Sequence, residues 1–150
     1  MKKIYFTKTK LEEVKREYIE LKNKRKDAVE SLKKAREMGD LSENGYYKAA
    51  KSNLFSIDYN LRRLSGFIKD SFVIKTNNRG VVELDSKFTL VSNGKEEKFH
   101  LVGKFESNPR IGKISNESPL GISLFGKRAG DNVIVETPGG KINYKIVKIS

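Results

Sequence analysis

Apolar positions in the first half of the chain recur at steps of three and four. Leu11, Val14, Tyr18, Leu21, Ala28, Leu32 and Ala35 form one heptad seam whose single polar entry is Arg25. Tyr47, Ala50, Leu54, Ile57, Leu61, Leu64 and Ile68 form a second. No proline occurs in the first hundred residues, so nothing kinks either helix. Two apolar stripes joined by a short turn bury each other only by folding back, and the spacing predicts an antiparallel coiled-coil hairpin over residues 1–70. A helix of about 27 residues at ~1.5 Å per residue runs on the order of 40 Å, longer than a small domain is wide, so the turn projects.

Near residue 70 the period changes. Phe72–Ile74, Gly80–Leu84, Phe88–Val91, Lys98–Val102, Asn132–Glu136 and Ile142–Ile149 read as short strands. Asn77-Asn78, Ser92-Asn-Gly94 and Pro138-Gly-Gly140 supply turn signals. Ser118-Pro-Leu-Gly-Ile-Ser-Leu-Phe-Gly126 reads as a short helix, with Ser118 as cap and Pro119 at its first position. The fold class is therefore α+β, with the hairpin followed by a small, mainly antiparallel sheet domain over residues 71–150 that carries one helix.

Composition narrows the function. A chain of 150 residues holds one or two small domains, neither large enough to enclose a big substrate. There is no cysteine, which removes disulfides, thiolate metal sites and thiol nucleophiles and fits a reducing compartment. No signal-peptide apolar core and no run approaching a membrane span is present, which reads as cytoplasmic. The net charge of +12 divides into +7 for residues 1–70 (18 Lys and Arg against 11 Asp and Glu) and +5 for 71–150 (13 against 8). Both halves attract polyanions.

Between the two basic helices lies a short acidic turn, Gly39-Asp40-Leu41-Ser42-Glu43-Asn44. Asp40 and Glu43, three apart and expected at the start of the second helix, can point the same way. Two oxygen ligands suit Mg²⁺, which keeps several waters and takes one or two carboxylates from any one source, so the pair would supply part of a metal site. The competing reading is structural: Asp is a favoured N-cap, and Glu three residues later completes a capping-box-like arrangement. Arg36, Lys48 and Lys51 flank the turn and could neutralise the phosphates of an RNA segment, or form an ordinary solvated helix face. Tyr47 falls on the seam and is expected to pack there, whereas Tyr46 is free to stack on a base.

Elsewhere the chain lacks reactive constellations. His100, the only histidine, has no second ligand or positioned partner in sequence. The glycines of the second half fit turns rather than a phosphate-cradling loop. Ile111, Ile114, Leu120, Leu124 and Phe125 could form a docking surface, with core the simpler expectation for most.

The tip Gly39–Asn44 with Tyr47-Lys-Ala-Ala50, together with Ile114-Ser-x-x-Ser-Pro-Leu-Gly121, Gly126-Lys-Arg-x-Gly-Asp131 and Thr137-Pro-Gly-Gly140, resembles the signatures of the Gre transcript-cleavage factors, in the GreA branch. The resemblance spans nearly the whole chain in register. It implies a globular half with an FKBP-like fold, docked on bacterial RNA polymerase beside its secondary channel, and a hairpin that carries its tip to the polymerase active site. There the factor stimulates the polymerase's own endonucleolytic cleavage of the RNA 3′ end in backtracked complexes, so the chain itself would not be an enzyme. Asp40 and Glu43 match the family's essential tip acids, which would help hold a second Mg²⁺ shared with the polymerase. Arg36 and Lys51 match its basic patch, while Tyr46 stands where the family usually has an acid. Two alternatives stay open: a channel-binding homologue that inhibits without promoting cleavage, and a basic coiled-coil protein that binds nucleic acid directly.

Overall fold

The computed structural model describes residues 3–39, 44–75 and 80–150. They form two compact units, Leu11–Asp70 and Met1–Lys10 with Ser71–Ser150. The composition break at residue 70 marks one boundary of the globular unit, but the first ten residues also belong to that unit. Their strand is the reason: β1 (Ile4–Phe6) pairs in parallel with β2 (Ser71–Val73), Tyr5 lying opposite Phe72.

In the helical unit, α1 (Lys8–Arg36) and α2 (Gly45–Asp70) are unbroken. Both seams face inward, with Val14, Ala28, Ala35, Ile57 and Leu64 buried and the remaining apolar seam positions half-buried. The polar entry is answered across the pair. Arg25 donates from Nε to Asp58 Oδ1 at 2.6 Å and from Nη2 to Asp58 Oδ2 at 3.4 Å, a two-pronged contact that fits guanidinium to carboxylate. No described helix is long and apolar enough to cross a membrane.

The globular unit is built on a five-stranded sheet in the order β5-β4-β3-β7-β6, comprising β3 (Lys87–Ser92), β4 (Lys95–Val102), β5 (Lys113–Ser115), β6 (Asn132–Thr137) and β7 (Gly140–Ile149). All neighbours are antiparallel except β4 and β5. Asn93-Gly94 closes the β3–β4 hairpin and Pro138-Gly139 the β6–β7 hairpin, as the turn signals require. The Asn77-Asn78 signal lies outside the described residues. The core gathers Val82, Phe88, Leu90, Leu101, Leu124 and Ile146 under α3 (Pro119–Leu124).

One expectation is corrected. Gly80–Leu84 is not a ladder strand, because a turn cuts it: Ser86 Oγ accepts from the Glu83 N–H (2.9 Å) and Ser86 N–H donates to the Glu83 carbonyl (3.0 Å). What remains is one bridge, Val81 with Arg128, beside a fully buried Val82 whose backbone pairs with Gly126 and Lys127. Of the apolar residues near α3, Ile114 and Leu124 are buried and Leu120 packs on the core, while Ile111 and Phe125 are exposed.

Ser118 caps α3 by accepting from the Gly121 N–H at 3.1 Å, with Pro119 at the first helical position. Gly121 itself lies against the Ser115 carbonyl, where a Cβ has no room. Gly121→Ala should therefore cost about 1–3 kcal/mol by forcing α3 away from β5, measured by denaturant unfolding of the full chain; an unchanged midpoint would show that the contact relaxes freely.

The hydrogen bond from Arg25, aided by its charge, holds the Asp58 carboxyl below the usual carboxylate range, against a smaller opposing effect of desolvation. A carboxyl depressed in the folded state stabilises above its unfolded pKa of about 3.9, and that contribution is lost as pH falls through the folded value. The melting-temperature gap between wild type and Asp58→Asn should be present at pH 7 and close on acidification below about pH 4. A gap independent of pH would mean that the ion pair is not its source.

Candidate functional site

Asp40, Leu41, Ser42 and Glu43 lie outside the described residues, but both ends of the turn that carries them are defined. On the incoming side, α1 ends at Arg36 and its last turn tightens, with Glu37 N–H donating to the Lys33 and Lys34 carbonyls and Met38 N–H to that of Ala35. Lys33, Lys34 and Arg36 place positive charge on the last turn, complementing its unpaired carbonyls. Gly39 then leaves at φ 107°, a conformation that side-chain-bearing residues avoid.

On the outgoing side, α2 begins at Gly45 and Asn44 precedes it. Asn44 Oδ1 accepts from the Tyr47 N–H at 3.1 Å, the geometry of an N-cap bonding to the third helical residue. Its Nδ2 donates to the Ala35 carbonyl at 2.9 Å, on the last turn of α1. One amide thus satisfies an orphan donor of α2 and an acceptor of α1, and staples the two helix ends together.

The cap of α2 is Asn44, immediately before its first helical residue, Gly45. Asp40 and Glu43, expected at the start of the second helix, lie outside the described residues.

The basic residues flank the turn on both sides. Arg36 ends α1, while Lys48 and Lys51 lie in the first two turns of α2, and all three are exposed. Lys51 Nζ sits 6.0 Å from the centroid of the Tyr47 ring, and Tyr47 is half-buried on the seam as its spacing requires. Tyr46 is 75% exposed. Among the described residues no group of three or more His, Cys, Asp or Glu side chains could hold a metal ion. His100 is engaged elsewhere, its Nε2 lying 2.6 Å from Asp85 Oδ1 in the globular unit.

A second device was not legible in the sequence. Thr7 caps α1 by accepting from the Lys10 N–H at 3.2 Å, and Glu106 holds Thr7 in turn. The buried Glu106 carboxylate accepts from the Thr7 N–H (3.1 Å) and hydroxyl (2.7 Å) and lies 3.8 Å from Lys113 Nζ. A Thr just before the first apolar-periodic residues signals a helix start. Nothing local marks its partner, 99 residues away.

Residues 4–73 match the family profile described as "Transcription elongation factor, N-terminal", and residues 76–150 that described as "Transcription elongation factor, GreA/GreB, C-term". The Bacillus licheniformis protein named transcription elongation factor GreA is 44% identical over 131 residues, covering 85% of this chain and 83% of that one. Its namesake from Staphylococcus saprophyticus is 43% identical over 143 residues, covering 92% and 90%. Among solved structures, GreA factor homolog 1 (Gfh1) of Thermus thermophilus aligns over 99% of both chains at 24% identity with a TM-score of 0.48, too distant to weigh on function.

Asn44→Ala should lower stability by about 1–2 kcal/mol and speed amide exchange at Tyr47. Asn44→Asp keeps the acceptor but not the donor to Ala35, so it should cost less. Exchange at Tyr47 unchanged in the alanine variant would show that the staple does not hold the turn.

Proposed function

The chain belongs to the GreA/GreB family of transcription elongation factors, and from that premise we propose that its hairpin enters the secondary channel of bacterial RNA polymerase and stimulates cleavage of the RNA 3′ end in backtracked complexes. The reaction is the polymerase's own; this chain supplies the tip and works in the cytoplasm, where its partner is. The observation that carries the reading is the Asn44 cap. It accounts for the start of α2 through Asn44 alone, and the proposal assigns the neighbouring carboxylates of Asp40 and Glu43 to the metal.

Two carboxylates are a suitable partial donor set for Mg²⁺, and Asp40 and Glu43 would hold the ion together with groups of the polymerase. When bound, such an ion activates water and stabilises charge on the attacking and leaving oxygens of a phosphodiester. The chain's remaining contribution is positional. Arg36, Lys48 and Lys51, exposed on either side of the turn, neutralise phosphates of the extruded RNA segment and hold it against the hairpin. Tyr46, exposed beside them, offers a ring on which a base can stack. The globular unit docks on the polymerase outside the channel.

The test is a stalled, backtracked elongation complex with cognate polymerase and Mg²⁺, in which the length of labelled RNA is followed. Wild type should accelerate cleavage. Asp40→Ala/Glu43→Ala should lose about 10- to 100-fold or more of that acceleration while still binding polymerase, the scale expected for removing metal-holding groups. Equal stimulation by both proteins would remove the acids from the chemistry. Slowed synthesis without cleavage by the wild type would make the chain an inhibitor of the same channel.

A further inference from the structure

The outward face of the five-stranded sheet carries aligned rows of lysines. Register fixes which side chains share it. Phe88, Leu90, Leu101, Ile114 and Ile146 turn into the core, so their neighbours along each strand turn outward. Cross-strand pairing aligns Lys87, His100 and Lys113 in one row and Lys98, Thr89 and Lys148 in the next. Rows two residues apart are about 7 Å apart, and neighbouring strands about 4.8 Å. The two rows border a groove of about 440 Å³, which Phe99, packed against the core, and the exposed Ile111 also line.

The charges on this face are not spent internally. Lys87, Lys98 and Lys148 are exposed, and none of the described ion pairs involves them. Of the nearby acids, Glu106 is bonded to Thr7 and lies 3.8 Å from Lys113 Nζ, and Asp85 Oδ1 lies 2.6 Å from His100 Nε2. Glu136, at the β6–β7 turn, pairs with Lys141 at 3.8 Å. Asp85, beside His100, and Glu96, one row beyond Lys98, oppose the field, and Lys145 on β7 faces the same row as Glu96.

We infer that this face binds the phosphate backbone of duplex DNA without reading its sequence. Three features select that occupant. The cations are all lysines, which protein–protein interfaces deplete, and the rows contain no arginine or aromatic anchor of the kind that carries such interfaces. No Phe or Tyr points outward from these rows, whereas a single strand gains its affinity from bases stacked on aromatic rings. A duplex presents one negative charge per about 1.7 Å of axis over a broad surface, which matches charges spread across four adjacent strands.

The experiment uses the full chain without polymerase and measures anisotropy of labelled duplex DNA and of single-stranded RNA across a salt series. Lys87→Gln/Lys98→Gln/Lys148→Gln should reduce the slope of log affinity against log salt for the duplex by about 2 to 3, near 0.9 per lost phosphate contact. The matching triple arginine variant should restore it. A control triple on the hairpin, Lys15→Gln/Lys26→Gln/Lys33→Gln, should change the slope by less than about 1. Thermal melts of each variant verify folding. Equal losses in both glutamine triples would mean that diffuse charge alone is responsible and would overturn the proposal. So would tighter binding of single-stranded RNA than of duplex, failure of the folded arginine triple to recover the slope, or displacement of the face by poly-glutamate with no affinity for duplex.

Discussion

The Asn44 side chain is the contact on which the working end of the hairpin depends. A helix that stops and another that starts within a few residues leave unpaired carbonyls on one side and unpaired amides on the other. Asn44 meets one of each, through an acceptor on Tyr47 N–H and a donor on the Ala35 carbonyl. An aspartate would cap α2 equally well but has no donor when ionised, and an alanine has neither group. The neutral amide also adds no charge to a turn that already carries two carboxylates. The capping task at the start of α2 therefore falls on a neutral residue.

The seam and the polar contacts act together along the hairpin. Towards the turn Ala28, Ala35 and Ala50 alternate with the larger Leu32, Tyr47 and Leu54, and Leu11, Val14, Leu61, Leu64 and Ile68 fill the opposite end. An alanine buries less apolar surface than a leucine. Directional contacts add to that burial: Arg25 to Asp58 in the middle and Asn44 to Ala35 at the end.

Much of this was legible in the sequence, for physical reasons that vary by element. Both helices follow from a period that only burial of one face explains, and Tyr47 and Arg25 both lie where that period puts them. The strands from β3 onward, except for the short β5, follow from alternation, and two hairpins from their turn residues. The errors have a common origin in contacts that the local pattern does not encode. Gly80–Leu84 alternates like a strand but is cut by Ser86, whose hydroxyl takes the Glu83 amide. The strand Ile4–Phe6 is only three residues long and pairs with a segment beyond the hairpin. Glu106 looks like a surface acid in a loop, yet its partner is Thr7. At the tip, Asp40 and Asn44 both have cap-forming side chains, and only the observed start of α2 identifies Asn44 as its cap.

The stapled helix ends have a consequence for the proposed role. A rod that enters a confined channel loses from fraying at its leading end. The staple resists fraying through hydrogen bonds that lie between the helix ends and add no girth. The surrounding charge follows the same division. Lysines and arginines on the outer helix faces stay out of the seam, where each would have to be desolvated or paired as Arg25 is. The hairpin thus separates the residues that hold it together from those that meet its partner, and Asn44 lies at the boundary between the two sets.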